Sequence, residues 1–137
     1  MVRKVGHIGI AVRSLNEALA FYQGQLGLEP TVITDVPSEG VRIAFLPVGD
    51  TEIELLEPLG PETTVGKFIE RRGPGLHHLS FDVQDVAGEI ARLAGTGVPV
   101  LDAEPRQGAT AKTAFLHPRA SGGVLIELSE PEANHGR

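Results

Sequence analysis

An internal repeat restricts this chain more than any other feature. The stretch Gly6-His7-Ile8-Gly9-Ile10-Ala11-Val12 is echoed by His77-His78-Leu79-Ser80-Phe81-Asp82-Val83, and Ile53-Glu54-Leu55 is echoed by Ile126-Glu127-Leu128. His7 and His78 stand 71 positions apart, and Glu54 and Glu127 stand 73 apart. Two marks recurring at nearly one spacing point to a duplicated module, so the two halves must share one plan.

That plan is legible in each half. Ser14 and Glu17 have the spacing of a capping box and predict a helix from about Ser14 to Leu26, with Gly27 placed to end it. In the second half Asp85 is the expected N-cap of a helix running to about Ala94, with Gly95 just beyond. Three strand-like runs follow each helix: Glu29–Thr34, Val41–Val48 and Thr51–Glu57, then Val98–Leu101, Ala111–Leu116 and Gly123–Leu128. Turn residues separate them at Ser38-Glu39-Gly40, Gly49-Asp50, Arg106-Gln107-Gly108 and Ser121-Gly122-Gly123. The predicted class is α+β, with two tandem βαβββ modules, about 1–58 and 75–131, forming a curved mixed sheet around a metal cavity. A helical candidate at Thr63–Arg72 lies in the stretch 59–74, read as a connector, and the whole of 1–137 is read as one domain.

Side chains alternate between the two faces of a strand. Ile8, Ile10 and Val12 therefore oppose His7, Gly9 and Ala11, while Leu79, Phe81 and Val83 oppose His78, Ser80 and Asp82. Ile53 and Leu55 oppose Glu54, and Ile126 and Leu128 oppose Glu127. The apolar faces are expected under the helices, and the faces bearing His and Glu are expected to line the cavity. A glutamate in the middle of an apolar strand is costly unless paired or bound to a cation. Each half offers one His and one Glu, and this set of two imidazoles and two carboxylates suits Zn²⁺, Co²⁺, Mn²⁺, Ni²⁺ or Fe²⁺ with positions left open for water or substrate.

Other polar residues carry blander readings. His77 alternates to the face opposite His78; His117, before Pro118, is a turn or ligand-contact residue; His135 lies in a polar tail. Glu52 is read as solvated surface and Glu57 as the end of its strand, while Asp82 and Ser129 lack a base partner that would suggest nucleophilic chemistry. The absence of cysteine excludes disulfides, thiolate ligands and a cysteine nucleophile. A formal charge of −6 disfavours nucleic acid. The first apolar stretch, only about eight residues long and containing His7, is too short for a membrane span of about 20 residues, which makes a cytoplasmic location the default.

At these residues the chain resembles the vicinal oxygen chelate superfamily, which includes glyoxalase I, extradiol dioxygenases and bleomycin-resistance proteins, and most closely its methylmalonyl-CoA epimerases. The more particular matches are Glu54-Leu55-Leu56-Glu57-Pro58, Gly75-Leu76-His77-His78 and Phe115-Leu116-His117-Pro118. The resemblance implies ligation of one divalent ion, Co²⁺, Mn²⁺, Zn²⁺ or Ni²⁺, by His7, Glu54, His78 and Glu127. It also implies an acyl-CoA substrate, a homodimer, and epimerisation through proton abstraction; on the chain's own residues Glu127 is the first candidate for the base and Glu54 the second. Glyoxalase I-like isomerisation, extradiol dioxygenation and drug sequestration are the alternatives on the same fold. Some epimerases carry a glutamate on the third strand as the proposed base; the corresponding stretch here reads Val41-Arg42-Ile43-Ala44-Phe45. The loop before Phe115, Gly108-Ala109-Thr110-Ala111-Lys112, also departs from the family's glycine-rich pattern. Arg106, Lys112 and Arg119 are candidates for a basic rim toward the coenzyme A phosphates, with ordinary solvated surface as the competing reading.

Overall fold

Each helix begins where a side chain satisfies a backbone N–H left over by the first turn. Ser14 Oγ accepts from the Glu17 N–H at 3.1 Å at the start of α1 (Leu15–Tyr22). Thr63 Oγ1 accepts from Gly66 at 3.0 Å before α2 (Thr64–Arg72), and Asp85 Oδ1 accepts from Gly88 at 3.1 Å before α3 (Val86–Gly95). A computed structural model of the chain describes residues 1–108 and 111–131, so His135 and the loop residues Ala109 and Thr110 lie outside the described residues.

The strands are β1 (Val2–Ala11), β2 (Val32–Val36), β3 (Val41–Val48), β4 (Thr51–Pro58), β5 (Gly75–Val83), β6 (Arg106–Gln107), β7 (Ala111–Leu116) and β8 (Ile126–Pro131). With α1 after β1 and α3 after β5, the order is βαβββ twice, as the repeat predicts. The described residues form two compact units, one of His7–His77 and the other of Met1–Gly6 with the residues from His78 onward. In the first unit the strand order is β2-β3-β4-β1, with β1 parallel to β4 and the other pairs antiparallel. In the second it is β5-β8-β7-β6, with β5 parallel to β8 and the others antiparallel. The mixed hydrogen bonding expected from the sequence is present in both.

Each module has its own apolar core. Leu15, Ala18 and Leu19 of α1 pack on Ile10, Val12, Ala44, Leu46, Ile53 and Leu55, the face opposite His7 and Glu54. Val86, Ile90 and Leu93 of α3 pack likewise on Phe81, Val83, Ala114, Leu116, Ile126 and Leu128. The helices are also fastened from the far end of the module. Glu57 in β4 accepts from the Leu15 N–H at 3.2 Å, and Glu130 in β8 accepts from the Val86 N–H at 3.1 Å. A carboxylate at a helix N-terminus is favoured by the positive end of the helix dipole, by about 0.3–1 kcal/mol at exposed sites.

The structure differs from the sequence reading at several places, β2 among them, found at Val32–Val36 rather than Glu29–Thr34. The stretch read as a helical connector holds α2 close to the predicted Thr63–Arg72, and its Val65 and Ile69 additionally pack with Ala11, Val41, Ile43, Phe45 and Leu56. These strand residues share the face of His7 and Glu54, so in the first module that face is partly apolar and covered rather than uniformly small and open. Regular α1 bonding ends at Tyr22; the N–H groups of Gln25 and Leu26 both turn to the Phe21 carbonyl before Gly27 stops the turn at φ 79°. Val98–Leu101 forms only an isolated bridge, Val100 to Leu116, because Pro99 has no N–H to donate, and the short strand is Arg106–Gln107 instead. The last strand starts at Ile126, after Gly122 and Gly123 adopt positive φ. Among the described residues no helix is long and apolar enough to cross a membrane.

Candidate functional site

Strand register decides which of the polar side chains meet. Parallel pairing of β1 with β4 sets Gly9 beside Glu54 and His7 beside Glu52. The His7 imidazole reaches one position along the same face, and its Nδ1 lies 3.3 Å from Glu54 Oε2. The second module repeats this: β5 pairs with β8 so that Ser80 lies beside Glu127, and His78 Nε2 is 3.3 Å from Glu127 Oε1. Each predicted His–Glu pair is thus assembled within its own module.

These groups are deeply placed. Glu54 and Glu127 are each 7% exposed and His78 is 8% exposed. Taking a carboxylate this far out of water costs several kcal/mol unless positive charge and hydrogen bonds compensate it. An imidazole nitrogen beside a carboxylate oxygen, in a chain without cysteine thiolate, is a donor set suited to borderline divalent ions. The residues fit such an ion on chemistry, burial and mutual distance within each pair.

The two modules differ beyond the pairs. Along the first, the positions after Gly9 and Glu54 are Ala11 and Leu56, with Ile43 opposite Leu56. The matching positions of the second are Asp82, Ser129 and Thr113. Ser129 and Thr113 are buried, as is Ser80 at 0% exposure. Phe115, opposite Glu127 in register, sets its ring edge-on to His78 at 5.9 Å between centroids. The Arg106 guanidinium lies 5.3 Å from the centre of that ring and pairs with Asp102 at 3.1 Å, while Asp102 also accepts from the Phe115 N–H at 2.7 Å. Arg106 is thus an exposed side chain that rests on Phe115 and pairs with Asp102.

The remaining candidates fall into place. Glu52, read as surface, is half-buried, and burial pushes its carboxyl above the ordinary range while the nearby His7 acts in the opposite sense. His117 Nδ1 accepts from the Arg119 N–H at 2.9 Å and caps the short turn Pro118–Ser121, consistent with its reading as a turn residue. His77 packs edge-on against Phe68 at 4.8 Å. Within the third-strand stretch Val41–Phe45, Ile43 is 2% exposed and enclosed by the cluster under α2. The sequence reading did not single out Ser80 or Thr113, although alternation already placed Ser80 on the face of His78.

Residues 6–117 match the family model of the Glyoxalase/Bleomycin resistance protein/Dioxygenase superfamily. The chain belongs to this superfamily. Among its members it is 38% identical over 133 residues to the ethylmalonyl-CoA/methylmalonyl-CoA epimerase of Cereibacter sphaeroides, covering 95% of this chain and 99% of that protein. It is similar in structure to a hypothetical protein from Bacillus halodurans C-125, with a TM-score of 0.94 and 44% identity over 98% of both chains. A methylmalonyl-CoA epimerase solved in complex with methylmalonyl-CoA and NH4+ matches with a TM-score of 0.90 and 35% identity over 97% of both chains. The resemblance to the superfamily's epimerases therefore runs the length of the chain and is not confined to its motifs.

Proposed function

We propose that this protein is a metal-dependent epimerase interconverting (R)- and (S)-methylmalonyl-CoA, with His7, Glu54, His78 and Glu127 together holding one divalent ion. The observation that carries the reading is the match, over nearly the whole chain, to epimerases of this substrate, joined to a buried His–Glu pair at 3.3 Å in each module. A divalent cation supplies a Lewis-acidic charge that stabilises the negative charge developing on a thioester oxygen.

The carbon between the carboxylate and the thioester is acidic because its conjugate base delocalises into the thioester. Epimerisation needs a group that removes this proton and a return of a proton from the opposite face, with pKa values near the working pH. The third-strand stretch Val41-Arg42-Ile43-Ala44-Phe45 contains no carboxylate to act as base, so Glu127, with Glu54 as the second candidate, takes the proton-transfer role. Phe115 walls one side of the second pair and limits water there, and Arg106 beside it offers positive charge to an anionic acyl-CoA. The same reading takes the working form to be a cytoplasmic homodimer and the native ion to be Co²⁺, Mn²⁺, Zn²⁺ or Ni²⁺, as the family resemblance implies.

The test is isotope exchange. Metal-loaded protein given one methylmalonyl-CoA epimer in deuterated water is expected to yield both epimers, with deuterium only at the carbon between the carbonyls. A sequestering protein gives no exchange, a dioxygenase consumes oxygen with a catechol, and a glyoxalase turns over a hemithioacetal. Neither conversion nor exchange above a metal-only control overturns the epimerase reading.

A further inference from the structure

Ser80 is the most enclosed polar residue of the second module, at 0% exposure, and its Oγ has no hydrogen-bond partner among the described residues. A buried hydroxyl in that condition costs about 1–3 kcal/mol. Such groups are rare in folded proteins, and each calls for an explanation in strain, chemistry or a bound ion or water. The location is specific. Ser80 is the register neighbour of Glu127 on the adjacent parallel strand and lies two residues from His78 on the same face, while Glu127 Oε1 is likewise closed off from solvent. In the first module the same position is Gly9, beside Glu54, which brings no hydroxyl.

We infer that Ser80 is a positioning residue: its hydroxyl donates to the Glu127 carboxylate and fixes that carboxylate in its ligating orientation, an inference that rests on the proposed metal site. A serine hydroxyl rotates freely and carries one donor, whereas an ionised carboxylate has acceptor capacity on both oxygens. A cation on one oxygen orients the carboxylate and leaves lone pairs on the other, enough both for the Ser80 hydroxyl and for proton transfer, so the hydroxyl gains its partner when the ion binds. Groups of this kind behind a metal ligand typically contribute about 10–100-fold in affinity. The device serves only one of the two carboxylates, because the duplication carries glycine at the other.

The measurement is Co²⁺ affinity of the full chain by competition with a chelator, alongside thermal melting of the metal-free protein. Ser80→Ala is expected to weaken Co²⁺ binding about 10–100-fold while leaving the metal-free protein as stable as the wild type or more so, since it removes a buried donor that has no partner there. Ser129→Ala, which deletes another buried hydroxyl two register pairs further along, is expected to leave affinity unchanged. A merely structural serine would lower the metal-free melting temperature, and that result overturns the inference. So does Co²⁺ affinity in Ser80→Ala within about twofold of wild type; if that protein also exchanges deuterium, the epimerase reading stands without the role for Ser80. Wild-type protein that binds no Co²⁺ overturns both.

Discussion

Replacing Ile69 by alanine tests whether α2 belongs to the first module or only tethers the two halves. Ile69 is 6% exposed and packs among Ala11, Val41, Ile43, Phe45, Leu56 and Val65. The substitution removes roughly three carbons at about 0.8 kcal/mol each, about 2.4 kcal/mol of transfer free energy. A residual cavity raises the expected loss to about 3 kcal/mol, inside the range of about 2–5 kcal/mol for such changes. For a chain of this size that corresponds to a melting temperature about 10 °C lower. Urea unfolding followed by circular dichroism measures it, with an unchanged slope showing that the unfolding transition itself is the same. Leu76→Ala, at a site 72% exposed, is the control and should stay within about 0.5 kcal/mol of wild type. A loss for Ile69→Ala as small as that control's would refute the packing argument and return α2 to the role of a connector.

Two further outcomes follow from the site and the surface. His78→Ala should strip the divalent ion while the protein remains folded, and full metal occupancy measured in the purified variant would remove His78 from the ligand set. Asp35 accepts from Arg42 Nε at 2.6 Å and from Nη2 at 3.2 Å, and this hydrogen bonding holds the Asp35 carboxyl below its ordinary 3.8. Its folded pKa is depressed, so its stabilisation is present above the unfolded pKa and fades as pH falls through the lower folded one. The melting gap between wild type and Asp35→Asn should therefore be small but open at neutral pH, close below about pH 3.8, and shrink with salt because the pair is exposed. A gap that widens in acid would contradict this.

The His–Glu pairs were readable from sequence because strand alternation is a short-range rule: His7 and Glu54, or His78 and Glu127, need only be on the same face of neighbouring strands to meet. Helix starts were readable for the same reason, since Ser14 and Asp85 act within a turn of their own positions. Glu57 was not, because its partner, the Leu15 N–H, is 42 residues away in sequence. The place of α2 was hidden likewise, as its apolar residues do not say which side of the sheet they will cover. Val98–Leu101 looked like a strand by composition, but Pro99 withheld a donor and the pairing passed to Arg106–Gln107. Ser80 was visible as a residue, whereas its significance lies in total burial without a partner, which no local pattern records.

The contrast between Ala11, Ile43 and Leu56 in one module and Asp82, Thr113 and Ser129 in the other bears on how a duplicated chain specialises. Two copies of one βαβββ unit begin with equal claims on chemistry, and here one has surrendered part of its inner surface to a helix grown from the link between copies. That copy still offers His7 and Glu54 to the proposed metal site, while the positions the helix hides are held to apolar side chains by packing. The other presents Asp82, Thr113 and Ser129 at the matching positions. Substrate range in this lineage should accordingly evolve by substitutions in the second copy, at positions 82, 113 and 129, while the first changes mainly in ways that preserve its volume.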